Sequence, residues 1–423
     1  MMYRWLLSLK KPSNSLWVTP AWGALLAVVF AFAAQLANIW LPVDTLPDIE
    51  RGTLEGLLDV IASSMLAVST FSLSIMVSAF ASASNGTTPR ATELVMGDDN
   101  TRMAIASFIS AFIYAIIAKT VLGMGLYGQN GRFVLFVSTV LALAYLIFTL
   151  IRWVHTLSQL GRMGNTLDKI HTAAQKTLQA YRNNPAMGAA WRGVCSPRAR
   201  VLRAEHSGYL THINMATLQS RAAEKDWHVH ITVRPGDLIM RDTVLALIEK
   251  GDESCDDLRN AFVLAQTRSY DQDPEWGFIV LSEAAQRALS PAVNDPGTAI
   301  AVMTGMMRLL ADVAPEQAGG QKQYDRLAIK PLDSSDWVKS GFAPIARDGA
   351  GILEVGLVLQ KTLAAVNRSA PEAAVSQAAA EVAAAAFERA CQSLDFAPDI
   401  QALQQKRAAL FGSAADLPMP ADH

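Results

Sequence analysis

Residues 54–84 read LEGLLDVIASSMLAVSTFSLSIMVSAFASAS, and between Leu57 and Ala81 the only charge is Asp59. About 20 mostly apolar residues suffice to cross a bilayer. Inside one the backbone must bond within the segment, so this stretch predicts a membrane helix. It is also rich in hydroxyls. Thr70, Ser74, Ser78 and Ser82 recur at every fourth position and share one helix face. A helix meeting only lipid has no use for such a stripe. Two uses present themselves: a close-packed seam against other helices, or the wall of a water-filled path.

Three further apolar stretches surround this one: Ala21–Leu41, closed by Pro42, then Met103–Leu126 and Phe133–Ile151. With Leu57–Ala81 they predict a four-helix transmembrane bundle over residues 21–152. Residues 1–20 carry Arg4, Lys10 and Lys11 among Trp5, Leu6, Leu7 and Trp17, as an interfacial segment would. A signal peptide is the rival reading; the length of the next stretch and Trp40 at its end argue against it. The chain has 423 residues, of which 17% are charged against about 25% in globular proteins, and the deficit falls before residue 152. A net charge of −2 gives no general grip on nucleic acid.

Arg4, Lys10, Lys11, Arg90, Arg102, Arg152, Arg162 and Lys169 flank one side of the four spans, and Asp44, Asp48, Glu50, Arg51 and Arg132 the other. The positive-inside rule then places both termini in the cytoplasm. Lys119 is the basic residue inside an apolar stretch, and counting from Met103 puts it near the outer interface. Glu55 and Asp59 lie four apart at a similar depth. An ion pair, a snorkelling lysine or a ring of charge at a pore mouth would each suit them.

Beyond the spans the chain reads as a cytoplasmic α+β tail. Residues 153–197 form a stalk and linker, with Leu157, Leu160, Leu167, Ile170, Ala174 and Leu178 at helical spacing up to Tyr181; Gly161 and Gly164 allow a bend. Residues 198–250 are a small β module: Val201–Leu202, Gly208–Ile213, Trp227–Val233 and Val244–Ile248 read as strands, with a turn at Arg234-Pro235-Gly236-Asp237. Residues 251–412 are mainly helical, with helices over Asp256–Thr267, Trp276–Leu289, Gly297–Ala311, Ile352–Ala365 and Glu372–Leu394. Gly319–Ala350 reads as loop-rich with room for a short helix, and residues 413–423 as a flexible tail. Cys195, Cys255 and Cys391 show neither paired nor zinc spacing, which suits a reducing compartment.

The β module resembles the barrel-sandwich fold of biotinyl and lipoyl carriers and membrane-fusion adaptors. Carriers modify a lysine at a hairpin tip, and here Lys225 falls in the helical-looking AAEKDW, so a docking or ring-forming module is the better fit. The string Arg268-xxx-Gln272-Asp273-Pro274-xx-Gly277, followed by ALSPxxNDPxTAI, resembles the bacterial membrane-protein family called domain of unknown function 2254. The serine-rich span, Pro89–Arg90, SGYL and RPGD fit that family in the same order. The resemblance implies four spans and a cytoplasmic tail in the bacterial inner membrane, and supplies no activity.

Asp295 before Pro296 suits a helix cap, and Ser290 and Asn294 suit a turn. With Arg268, Gln272 and Asp273 they make a candidate pocket for a small ion or anionic ligand; a corner that merely locks two helices is the alternative. Asp271, Asp273 and Glu275 alternate, but they lack the turn glycine and distant glutamate of a calcium loop, and His228 with His230 has no third ligand. No metal site is assigned. Nucleophile-elbow, zinc-protease, phosphate-loop and dinucleotide signatures are missing, so we expect neither an enzyme nor a cofactor. The leading expectation is a homo-oligomeric ion channel or small-solute pathway in the lipid bilayer, with a cytoplasmic regulatory or vestibule domain. The alternative is a membrane-anchored sensor or scaffold whose tail binds a ligand or protein.

Overall fold

The structure, a computed structural model, describes residues 46–86, 88–91, 94, 99–159, 161–249, 255–312 and 323–412, with Leu25 and Val29. The chain divides into two compact units, one of Met1–Asn85 and Pro89–Thr166, the other of Gly86–Thr88 and Leu167–His423.

The first unit contains α1 (Arg51–Gly86), α2 (Asp99–Gly123) and α3 (Gln129–Gln159). Among the described residues these three are long and apolar enough to cross a membrane. The first predicted span, Ala21–Leu41, lies outside the described residues apart from Leu25 and Val29, as do the interfacial segment and the C-terminal tail. Of the predicted four-helix bundle, three helices fall among the described residues. α1 outruns its apolar stretch at both ends, because backbone bonding continues through polar turns where the composition signal stops. α2 ends early: Gly125, at φ 73°, turns the chain within the apolar Met124–Leu126 that reads as helix by composition. Leu54, Leu58 and Ile61 of α1, Phe108 and Ala115 of α2, and Leu135 of α3 belong to one buried cluster.

A break follows α3. Gly161 takes φ 76°, and a separate helix α4 (Met163–Asn183) buries Ile170, Ala174 and Leu178, spaced by four, on one face. The predicted continuous stalk is thus two helices.

The second unit has two small sheets. One holds β1 (Arg200–Arg203), β5 (Val244–Glu249), β3 (His228–Ile231) and β7 (Leu327–Ile329) in that order; the other holds β4 (Leu238–Ile239), β2 (Gly208–Ile213) and β6 (Phe262–Ala265). All pairs are antiparallel except β3–β7. In β3, Val229 and Ile231 are buried while His228 and His230 are half-buried, as alternation along a strand requires. A helix α5 (Met215–Glu224) joins the sheets, its first turn capped by Asn214 Oδ1 on the Thr217 amide at 3.0 Å.

Two expectations fail here. The helix predicted over Asp256–Thr267 is a 3-10 turn, Asp256–Ala261, followed by β6. Phe262, Val263 and Leu264 are good strand formers, and β2 offers them an edge. The loop-rich reading of Gly319–Ala350 misses β7, recruited in parallel by the open edge of β3; the short helix it allowed is α8 (Ser335–Asp348), 14 residues long, which buries Trp337, Phe342 and Ile345. The strand contribution of 262–265 and 327–329 also carries the β structure beyond residue 250.

The remaining helices are α6 (Trp276–Ala288), α7 (Pro296–Ala311), α9 (Leu353–Ser369), α10 (Ala373–Ser393) and α11 (Ala397–Phe411). α9 packs on α7, α10 and α11, and α8 packs on α6 and α10. Small side chains at Ala379, Ala383 and Ala386 let α10 approach closely. The buried amide of Gln360 donates to Ala383 O at 2.9 Å and accepts from Arg407 at 3.0 Å, so this polar pair leaves no orphaned amide.

Candidate functional site

In the apolar unit the structure brings Lys119 Nζ to 2.5 Å from Asp59 Oδ1. Glu55 is engaged elsewhere: Arg51 Nε donates to it at 2.7 Å across one helical turn, while Arg51 Nη2 reaches Gly123 O at 3.2 Å. The three charges picked from sequence are therefore one interhelical pair and one local pair. Thr70, Ser74, Ser78 and Ser82 are all exposed on the single chain. Thr70 Oγ1 donates to Ala67 O at 2.9 Å and Ser74 Oγ to Thr70 O at 3.1 Å, whereas Ser82 Oγ reaches across to Gly161 O at 3.4 Å. Buried hydroxyls lie on the other side. Ser72 Oγ is enclosed with no hydrogen-bond partner among the described residues, and Tyr114 binds Ser138 at 2.9 Å and Thr139 at 3.1 Å between α2 and α3.

In the C-terminal unit the Arg268-to-Gly277 string is a fastener. Asp273 is 2% exposed, and Arg268 grips it with Nε to Oδ2 at 2.6 Å and Nη2 to Oδ1 at 2.8 Å. The same guanidinium reaches Glu275 at 2.8 Å, and Asp273 Oδ1 also accepts the amides of Glu275 and Trp276 at the start of α6. Burial by itself would lower the Arg268 pKa; the two carboxylates more than reverse this and hold it above its ordinary value. Gln272 acts as a strand edge, accepting Ile213 N at 2.8 Å and donating to Ile213 O at 3.4 Å. With Asp273 and Glu275 taken by Arg268, the carboxylates of this loop do not converge on a cation. No group of three His, Cys, Asp or Glu suited to a metal occurs among the described residues.

Ser290, Asn294 and Asp295 do not join this cluster, contrary to the single pocket expected. They sit at the far end of α6, whose 13 residues span about 20 Å. Ser290 Oγ donates to Arg287 O at 2.7 Å, Asn294 takes φ 48°, and Asp295 caps α7 by accepting the Thr298 hydroxyl at 2.6 Å and its amide at 3.1 Å. The Thr298 hydroxyl and amide hold the Asp295 carboxyl below its usual value. This is a locked corner.

The cavity lies elsewhere, at the other face of the fastener. It measures about 370 Å³ and lies between α4, the start of α5, the end of β2 and four loop segments, those of Arg234–Pro235, Asp271–Pro274, Gln323–Tyr324 and Leu332. Thr177, Ala180, Tyr181 and Asn184 line it from α4 and its end; Asn214, Met215 and Ala216 from the start of α5; Arg234 and Pro235, with Asp271, Gln272 and Pro274, from the loops. The RPGD turn is seated there by Gly236, at φ 102°, where a Cβ would come within 2.8 Å of both Arg268 and Asp273. Arg234 is 6% exposed; its Nε donates to Lys330 O at 2.6 Å and its Nη2 to Pro185 O at 3.0 Å. Burial pushes the Tyr181 hydroxyl above its ordinary pKa, Arg234 offsetting part of the shift, so it stays protonated. His212 stands 3.4 Å from Asp271. Of the candidate site residues only Gln272 lines this cavity, together with Asp271, weighed as a metal ligand and set aside. Arg234, Tyr181, His212 and Asn214 were missed, though the RPGD and QDP turns marked two of its walls.

Apolar helices long enough to cross a bilayer, together with a large α+β C-terminal unit, define a membrane protein. Residues 13–365 match the family described as "Predicted membrane protein (DUF2254)", and the chain belongs to that family. Uncharacterized proteins of Mycobacterium tuberculosis (strain ATCC 25618 / H37Rv) and Mycobacterium bovis (strain ATCC BAA-935 / AF2122/97) are each 26% identical to it over 429 residues, which is 95% of this chain and 80% of theirs. No solved structure matches.

Proposed function

We propose that this protein is a ligand-responsive membrane protein, whose C-terminal unit is cytoplasmic and takes a small polar molecule into the cavity beside α4. The cavity itself carries this reading. Its volume falls in the range of small-molecule sites, and converging polar groups line it at the junction of several elements. α4 supplies one wall, and it begins four residues after α3 ends, at the turn made by Gly161. A ligand that orders α4 against the sheets thus acts on the segment next to the last candidate span. On this reading the protein is a regulator or sensor and not an enzyme, with both termini in the cytoplasm of a bacterium and the spans in its inner membrane.

The test is a thermal-stability screen of the full chain in nanodiscs against sugars, nucleotides, amino acids, organic acids and phosphate. At least one compound class is expected to raise the unfolding midpoint saturably. Ala180→Trp, which fills the cavity from an exposed position on its rim, should remove that response. A screen in which no class shifts the midpoint overturns the reading.

A second reading, a homo-oligomeric solute path that the cavity regulates, is favoured by one observation: all four residues of the hydroxyl stripe are exposed on the single chain. Thr70, Ser74 and Ser82 spend their hydroxyl protons on backbone carbonyls, so what they offer a second copy or water is their acceptor lone pairs. Ion flux in liposomes tests it.

A further inference from the structure

We infer that the cavity beside α4 receives an anion, a carboxylate or phosphate group, held between the Arg234 guanidinium and the first turn of α5. The inference rests on the ligand-binding reading above and names the chemistry of that ligand.

Arg234 is the main reason. It is a cation almost wholly removed from water, and such a charge is costly unless paired. Its partners are two neutral backbone carbonyls, reached by Nε and Nη2; Nη1 makes no hydrogen bond among the described residues. Asp237, the nearest acid in its own turn, accepts the Arg234 backbone amide at 2.9 Å. By contrast Arg268, directly behind the same loop, is matched by two carboxylates. One buried arginine is gripped by two carboxylates; its neighbour on the cavity feels the charge of Asp237 but has no carboxylate bonded to its guanidinium among the described residues.

The start of α5 is an independent second reason. Asn214, Met215 and Ala216 line the same cavity. Asn214 caps the Thr217 amide, but the amides of Met215 and Ala216 precede any carbonyl the helix can offer them. The positive end of the α5 dipole therefore borders the space that Arg234 borders. Tyr181, whose hydroxyl is protonated at neutral pH, also lines the wall. The Gln272 amide is spent on Ile213, so it does not compete for the ligand. The acid on the rim, Asp271, has a side chain 64% exposed and stands beside His212, so solvent screens it. The volume accommodates a small organic acid or phosphorylated metabolite.

The experiment measures the unfolding midpoint of the full chain in zwitterionic nanodiscs, with inorganic phosphate and malonate as probes. Chloride holds the ionic strength constant, and glycerol serves as a neutral control. Phosphate or malonate should raise the midpoint saturably, and glycerol should not. Arg234→Gln should weaken the apparent affinity at least about tenfold, the loss expected for a charge-assisted hydrogen bond. Because Arg234 also ties two backbone segments, Ala216→Asp is the second variant. It puts a carboxylate into the first turn of α5 at an exposed position, so the fold should be kept or stabilised while the anion response disappears. Midpoints that phosphate and malonate leave unchanged at constant ionic strength, or an Ala216→Asp protein that responds like the parent, overturn the inference. If a neutral or cationic compound binds and Ala180→Trp blocks it while both anions fail, the inference falls and the ligand-binding reading stands. If nothing binds, both fall.

Discussion

Gly277 of α6 lies directly on Ala174 of α4: a Cβ built at 277 would stand 2.3 Å from the Ala174 Cβ and 2.9 Å from its Cα. The last glycine of the RxxxQDPxxG string is thus the contact that lets two helices touch backbone to backbone. It holds α4 where that helix can wall the cavity.

Gly277→Ala should accordingly be destabilising despite the better helix propensity of alanine. Overpacking of this kind costs roughly 1–3 kcal/mol, and the close Cα leaves little room to relax. Thermal unfolding of the C-terminal unit checks this. Ala174→Gly in the same chain should restore part of the loss, since it removes the atom that collides. An unchanged midpoint for Gly277→Ala would show that the helices separate freely.

Lys119 and Asp59 should be energetically coupled. Lys119→Met strands a carboxylate, and Asp59→Asn strands an ammonium; the double variant should lose less than the sum. A coupling of about 0.5–3 kcal/mol is the range for residues in direct contact. A double-mutant cycle on unfolding in mild detergent measures it, and strict additivity would show that the pair contributes nothing.

Ser74→Leu separates the two uses of the hydroxyl stripe. If the stripe is a seam between copies, leucine holds the helices apart and the oligomer should dissociate in mild detergent. If it walls a path, the assembly should survive and liposome flux should stop, because a hydrophobic constriction dewets. Intact assembly with unchanged flux would remove this face from any transport role.

His171 gives the C-terminal unit an acid sensitivity. Its Nε2 lies 3.2 Å from Gly305 O. Burial, with Arg308 adding, lowers its pKa below the ordinary 6.5, against the opposing pull of the Gly305 carbonyl and Asp168. Below about pH 6.5 the unfolded chain takes up a proton that folded His171 resists. Its contribution to stability is therefore complete above pH 6.5 and is lost as pH falls through the lowered native value. The unfolding midpoint of the parent should drop over that interval more steeply than that of His171→Gln.

The sequence alone determined what depends on local chemistry. Apolar length marked α1, α2 and α3, because transfer from water scales with the side chains themselves. Asp295-Pro296 announced the start of α7, because a cap bonds within its own turn. RPGD announced a turn, because Gly236 alone must take the positive φ. Tertiary structure decided the rest. The Asp256–Ala265 stretch became turn and strand through the free edge of β2, which lies about 50 residues earlier in the chain and leaves no mark on local periodicity. β7 is three residues recruited by β3. The division of Glu55 and Asp59 between Arg51 and Lys119 was set by where α2 comes to lie. The cavity is assembled from six segments between Thr177 and Leu332. No pattern in any one of them shows that Arg234 is buried there with neutral partners, because its surroundings belong to residues 185 and 330 and exist only once the chain has folded.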